Sequence, residues 1–74
     1  MNLPTYRIKI SEKIIGYRRE NGLSQIRFGR LIGVSAQAVC KWEQEDCYPD
    51  IFILPHIAKI LGCRVDDFFE EVVK

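Results

Sequence analysis

The chain has 74 residues, 47% of them hydrophobic, and a net charge of +1. This length suits one domain, near the lower end of the sizes that fold without disulfides or metals. No stretch approaches the ~20 apolar residues of a membrane span, and no long apolar run follows Arg7 and Lys9 as it would in a secretory signal. We therefore expect one cytoplasmic domain with no membrane partner.

The charge is distributed unevenly along the chain. Residues 1–41 carry eight Lys or Arg and two Glu, a net charge of +6, whereas residues 42–74 carry three Lys or Arg and eight acids, a net charge of −5. A cationic half attracts phosphates and an acidic half is repelled by them. An ordinary mixed surface is the alternative explanation, so the asymmetry supports a nucleic-acid partner only together with other signals.

The first predicted element is a helix over residues 11–21. Residues 1–10 are expected to be a short lead-in, because Pro4 prevents a helix through them. Ser11 is the expected N-cap, and Gly22 is expected to end the helix. Ile10, Ile14 and Tyr17 form its apolar stripe. Gly16 in its interior indicates that another helix approaches closely there.

The next two predicted helices are short and adjacent, over residues 25–32 and 35–44. Ser24 and Ser35 are the expected N-caps, and Gly33 stands between the helices, where a sharp turn with positive φ favours glycine. Two short helices joined by a three- or four-residue turn form a helix-turn-helix. Such a unit presents its second helix to a DNA major groove.

Two further helices are predicted towards the C-terminus. Asp50 is the expected cap of a fourth helix over residues 51–61, which Gly62 would end. A fifth helix is expected after Asp66, with Phe68 and Phe69 at the end of the core.

Several short motifs in fixed order resemble the Cro/phage-repressor-type (XRE) helix-turn-helix family. They are Leu23-Ser24-Gln25, Phe28-Gly29, Gly33-Val34-Ser35, Ala38-Val39, Lys41-Trp42-Glu43 and Tyr48-Pro49-Asp50, followed by residues 62–66 and Phe68. The resemblance covers roughly residues 11–70. It implies an all-α, five-helix lambda-repressor-like bundle over residues 11–71, between the lead-in of residues 1–10 and a tail of residues 72–74.

The resemblance places base-reading side chains at Ala36, Gln37 and Lys41. Gln37 could pair with the N6 and N7 atoms of an adenine, and Ala36 could contact a thymine methyl group. Lys41 could reach a guanine or a phosphate, and the sequence does not choose between them. Trp42 is expected in the core, because it lies on the Val39 side of the helix.

The same resemblance implies phosphate contacts and an orienting ion pair. The expected phosphate-binding residues are Ser24, Gln25, Ser35 and Gln44, and the expected ion pair joins Arg18 to Glu43. Gln25 stands at a helix start, where the backbone N–H groups also bind anions.

The chain departs from the family pattern at three positions. Gly29 stands where the family usually has Ala, Leu31 where it is commonly polar, and no Gly follows Glu43. We expect Gly29 to be a point of close contact with the third helix. We also expect Asp46 to make the turn after that helix in a left-handed conformation.

The sequence thus predicts a repressor-like, sequence-specific DNA-binding regulator that works as a homodimer. The alternative is a protein-interaction module such as an antitoxin, with DNA binding secondary. In the homodimer, the candidate pairing surfaces are the acidic end of the chain, with Phe69, Val72 and Val73, and the loop at Cys47 and Tyr48. In the alternative, the apolar C-terminal end and Leu31 would form the contact surface.

Catalytic, cofactor and metal sites are not expected. The chain has one His, no Gly-rich phosphate loop and no paired nucleophile and base, so no enzyme activity, cofactor or small-molecule ligand is indicated. Cys40, Cys47 and Cys63, with His56, have spacings that match no common zinc framework. Reduced thiols are therefore the expected state.

Overall fold

The computed structural model describes residues 5–72. Within them the elements, in chain order, are β1 (Thr5–Ile8), α1 (Ile10–Glu20), α2 (Gln25–Ile32), α3 (Ala36–Glu43), α4 (Leu54–Leu61), a 3-10 helix (Val65–Phe68) and β2 (Phe69–Val72). None of the described helices is both long enough and apolar enough to cross a bilayer.

One apolar core joins the four α-helices and the 3-10 helix. Its buried members are Ile10, Ile14, Phe28, Ile32, Val39, Trp42, Ile57, Ala58 and Phe68. Tyr17 packs edge-on against Phe28, with ring centroids 6.0 Å apart. The predicted stripe of α1 and the predicted burial of Trp42 are confirmed.

The all-α prediction needs one correction, because the chain also forms a two-stranded antiparallel sheet. β1 pairs with β2 in a register that places Thr5 opposite Val72 and Ile8 opposite Phe69. The Lys9 N–H donates to the Phe68 carbonyl at 2.7 Å, which extends the contact between the two segments beyond the paired strands. Residues 5–8, expected in the lead-in, and Val72, expected in the tail, therefore belong to the folded unit. Residues 1–4, and Val73 with the rest of the tail, lie outside the described part.

The expected fifth helix is a single 3-10 turn. The Arg64 N–H donates to Asp67 Oδ2 at 2.9 Å and opens this turn. Phe69 then adopts extended backbone angles, φ −126° and ψ 144°, as its segment pairs with β1. Phe68 is buried as predicted, whereas Phe69 is exposed.

The first helix begins one residue earlier than predicted, and Ser11 is not its cap. Lys9 precedes the helix, and Ser11 lies buried in the first turn, where its hydroxyl donates to Glu45 Oε1 at 3.0 Å. This bond connects the start of α1 to the loop after α3.

The turn after α3 uses Glu45, not Asp46, in the left-handed region. Glu45 has φ +62°, the one positive φ outside glycine in residues 5–72. The Glu45 N–H donates to the Trp42 carbonyl at 3.3 Å and the Asp46 N–H to the Lys41 carbonyl at 3.0 Å. These two bonds form a Schellman motif, which normally has glycine at the left-handed position.

The fourth helix begins later than predicted, at Leu54. Asp50 Oδ1 accepts from the Phe52 N–H at 3.1 Å, and the Asp50 carbonyl accepts from the Ile53 N–H at 2.9 Å. Asp50 therefore closes a turn that precedes α4 and does not cap the helix itself. Gly62, with φ +73°, ends α4 as predicted.

Candidate nucleic-acid interface

The α2–turn–α3 unit matches the sequence expectation closely. Ser24 Oγ accepts from the Arg27 N–H and Ser35 Oγ from the Ala38 N–H, both at 3.1 Å, so both serines cap their helices. Gly33 ends α2 with φ +92°, a left-handed conformation. These local signals fix the two helix starts and the turn between them.

Gly29 determines how closely the turn approaches α2. A Cβ atom at Gly29 would lie 2.6 Å from the Val34 carbonyl oxygen and 3.3 Å from the Ser35 carbonyl carbon and oxygen. The close contact is thus with the residues that lead into α3. At Gly16 the expectation of a close helix approach is wrong, because a Cβ atom there would have nothing within 4 Å.

The two faces of α3 differ sharply in exposure. Val39 and Trp42 are buried, whereas Gln37 and Lys41, four residues apart, are exposed and lie on one face. Ala36 is half-buried at the start of the helix, and Gln44 is exposed at its end. The outward face of α3 is therefore free of contacts that would hold it inside the bundle.

The expected phosphate-binding residues lie around the two helix starts. Ser24 and Ser35 are exposed, and their hydroxyls accept capping bonds, which leaves the O–H of each free to donate. Gln25 is half-buried, and its Nε2 donates to Glu43 Oε1 at 3.1 Å. A side-chain amide has two N–H donors, so Gln25 can still donate to a second acceptor.

Arg18 and Glu43 form a bidentate ion pair. Arg18 Nε lies 2.6 Å from Glu43 Oε2, and Arg18 Nη2 lies 2.8 Å from Glu43 Oε1. Arg18 Nη1 also donates to the Leu23 carbonyl at 2.9 Å. Together with Gln25 these contacts join α1, the start of α2 and the end of α3 at one point. Nothing in the sequence pattern signalled the contacts of Gln25 and Leu23.

The surroundings of this pair keep it ionised. Burial raises the pKa of Glu43. The hydrogen bonds from Arg18 and Gln25 and the charges of Arg18 and Arg19 together lower it by more than burial raises it, so the pKa lies below its ordinary value. The hydrogen bond to Glu43 raises the pKa of Arg18. The Glu43 side chain is 8% exposed and the Arg18 side chain is 19% exposed. Water therefore screens this pair far less than an ion pair on the surface.

The helix-turn-helix carries exposed positive charge. Arg27, Arg30 and Lys41 are exposed, and none of the ion pairs within residues 5–72 includes them. Arg7 and Lys9, by contrast, are paired with Glu70 beside the sheet. On α2 and α3, the cations available for phosphates are therefore Arg27, Arg30 and Lys41.

The three cysteines are free thiols in separate surroundings. Cys47 is exposed, Cys40 and Cys63 are half-buried, and burial raises the pKa of Cys63. Within residues 5–72 no group of three or more His, Cys, Asp or Glu side chains is placed to hold a metal ion.

Comparison with known proteins gives one family match and two curated relatives. A family model described as helix-turn-helix matches residues 14–68. The HTH-type transcriptional regulators PuuR of Escherichia coli (strain K12) and of Shigella flexneri are each 35% identical over 57 residues, which is 77% of this chain and 31% of the relative. The chain thus spans about a third of the length of these relatives.

Two solved structures share the fold. The P22 c2 repressor protein, crystallised with synthetic operator 9T in the presence of Tl⁺, matches with a TM-score of 0.73 and 29% identity over 80% of this chain and 89% of its own. A transcriptional regulator from Listeria innocua matches with a TM-score of 0.78 and 20% identity over 92% of this chain and 64% of its own. The second likeness shows the fold alone.

Proposed function

This chain belongs to the helix-turn-helix family of the Cro/phage-repressor (XRE) type, and we propose that it is a transcriptional regulator that reads DNA sequence with α3. The observation that carries the proposal is the exposure of Gln37 and Lys41 on one face of a helix whose other face, with Val39 and Trp42, is buried in the core. A recognition helix needs this division, because the core fixes its orientation while the outward side chains enter the major groove.

Base reading would be performed by three residues. The Gln37 amide can accept from the N6 amino group of an adenine through Oε1 and donate to N7 of the same base through Nε2, which is the bidentate pattern of an adenine. Ala36 offers a methyl surface for a thymine, and Lys41 offers a cation for the guanine O6 and N7 or for a phosphate.

Phosphate anchoring would surround these readers. Gln25 and the N-terminal N–H groups of α2 can hold one phosphate, and Glu43 already fixes the Gln25 amide from behind at 3.1 Å. The hydroxyls of Ser24 and Ser35 and the amide of Gln44 can donate to others. Such contacts set the position of α3 and carry no sequence information themselves.

A homodimer with a repressor-like mode of action completes the proposal. One recognition helix reads too few base pairs for selectivity, and two half-sites one helical turn apart overcome this limit. Two observations support a repressor-like action. The relatives are named transcriptional regulators, and the P22 c2 repressor was crystallised with an operator. A regulator of this kind would act in the cytoplasm.

The alternative is a protein-interaction module such as an antitoxin. One observation favours it, since the segment between α3 and α4 exposes three large apolar side chains, Tyr48, Ile51 and Phe52. In that case DNA binding would be weak or absent.

Titration of labelled random duplex at low and moderate salt separates the two proposals. A DNA-binding protein should lose affinity steeply as salt rises, because each phosphate contact releases counterions. The variant Lys41→Ala should reduce this slope if Lys41 contacts a phosphate, whereas Lys59→Ala on α4 is the matched control. Absence of salt-dependent binding would favour the interaction module.

A further inference from the structure

The turn after α3 carries a side chain at a position whose backbone geometry favours glycine. Glu45 has φ +62° and stands at the left-handed position of the Schellman motif, where a Cβ atom is strained. Its carboxylate makes a contact that glycine could not, since Oε1 accepts from the Ser11 hydroxyl at 3.0 Å. The turn therefore contains a side-chain anchor that the glycine form of the motif lacks.

The partner of this anchor is buried at the start of α1. Ser11 is 4% exposed, and within residues 5–72 no other polar or charged residue is buried. A buried hydroxyl needs a hydrogen-bond partner, which Glu45 provides. The N-terminal end of a helix also favours a nearby negative charge, and Lys9, which precedes α1, contributes no side-chain cap. Both the hydroxyl and the helix end therefore hold the carboxylate of Glu45 in place.

The first helix holds the end of α3 at two points. Arg18 donates to Glu43 at 2.6 and 2.8 Å, and Ser11 donates to Glu45 at 3.0 Å. Ser11 and Arg18 are seven residues apart, so they lie on the same side of α1, separated by two turns or about 10 Å. One contact alone would let the end of α3 pivot, whereas two contacts this far apart also fix its direction.

Gln44 lies between the two anchored carboxylates. Its N–H donates to the Cys40 carbonyl at 3.0 Å, and its side chain is exposed. A hydrogen bond from its amide to a phosphate requires a separation of about 3 Å, so a small shift of the backbone would break it. Without Ser11, the Glu45 carboxylate would also be free to approach the same phosphate, which would repel it. The Ser11–Glu45 bond thus controls both the position and the electrostatic surroundings of Gln44.

We propose that Ser11 and Glu45 are positioning residues for DNA binding, which hold Gln44 where its amide reaches a phosphate. This inference rests on the proposed function and adds two residues that do not contact DNA themselves. Their effect should be the same on every DNA sequence, because a phosphate contact carries no sequence information.

Binding of labelled duplexes to Ser11→Ala, Gln44→Ala and the double variant tests the route through Gln44. Ser11→Ala leaves the charge of the chain unchanged. It should raise the Kd about five-fold, the effect of one hydrogen bond, for a random duplex and for a duplex selected from a random pool alike. In the Gln44→Ala background the same change should raise the Kd no further. Losses that multiply in the double variant would overturn the proposal.

Two variants of Glu45 separate positioning from stability. Glu45→Gln keeps an oxygen that can accept from Ser11, whereas Glu45→Gly loses this oxygen but suits φ +62°. Both variants remove the same charge. Glu45→Gly should unfold at a urea concentration no lower than Glu45→Gln does, and yet bind both duplexes about five-fold more weakly. Equal affinities of the two variants would overturn the positioning role.

A neighbouring acid provides the matched control for charge. Asp46 is the next exposed acid of the loop, and Glu45→Gln should change the Kd no more than Asp46→Asn does. A wild type that binds DNA while Ser11→Ala binds equally well would overturn the positioning role and leave the proposed function intact. A wild type without salt-dependent binding to either duplex would instead refute the proposed function, and this inference with it.

Discussion

Removal of Glu43 should destabilise the fold more than removal of any single exposed charge. Glu43→Ala leaves the Arg18 guanidinium without its two carboxylate bonds and Gln25 without its acceptor. Breaking a buried ion pair costs roughly 3–5 kcal/mol. Arg18 remains 19% exposed and keeps its bond to the Leu23 carbonyl, so the cost should fall at or below the bottom of that range, and we expect a loss of about 2–3 kcal/mol.

Urea unfolding of a double-mutant cycle measures this energy. The variants are Glu43→Ala, Arg18→Ala and the double variant, with Arg64→Ala as a control, because Arg64 and its partner Asp66 are both more than four-fifths exposed. The double variant should lose less than the sum of the single losses, by about 1–2 kcal/mol. Single losses that add to within about 0.5 kcal/mol would refute the idea that the pair acts as a unit. The control should unfold like the wild type.

Three further predictions concern two glycines and the acid range. Gly16→Ala should raise the free energy of unfolding by about 0.5–1 kcal/mol, since it removes a helix-interior glycine where no atom is in the way. Gly29→Val should lower the free energy of unfolding by about 2 kcal/mol or more, because the side chain would displace the Val34 carbonyl. Thermal melts that show equal effects for the two glycine variants would contradict the close contact at Gly29 and the open space at Gly16. The folded-state pKa of Glu43 lies below its ordinary value of 4.5, so the stability it contributes is complete above that pH and is lost as pH falls through the lower value. Glu43→Gln should flatten the fall of the free energy of unfolding at acid pH. An unchanged dependence on pH would mean that other carboxylates cause this fall.

The parts of the fold that depend on local chemistry were predictable from the sequence. Ser24, Gly33 and Ser35 act within one turn of their own positions, and the bounds of α2 followed from them. The exposure of Gln37 and Lys41 likewise follows from helical spacing relative to Val39 and Trp42.

The parts that depend on distant partners were not predictable. The pairing of Thr5–Ile8 with Phe69–Val72 joins the two ends of the chain, and it converts the expected fifth helix into a 3-10 turn and a strand. Ser11 has the residue type of a cap, yet its hydroxyl bonds to Glu45, a residue 34 positions away. The positive φ fell on Glu45 because the Schellman geometry is set by where α3 ends, not by which residue tolerates it best.

The role of Gln37 as a base reader is tested most directly by selection of bound duplexes from a random pool, with the wild type and Gln37→Ala in parallel. The wild type should enrich two related half-sites one helical turn apart. Gln37→Ala should lose the preference at one base pair in each half-site, with a cost of about 1–3 kcal/mol on the selected site and unchanged affinity for random DNA. Identical selected sequences for both proteins, or equal losses on selected and random DNA, would contradict readout by the outward face of α3.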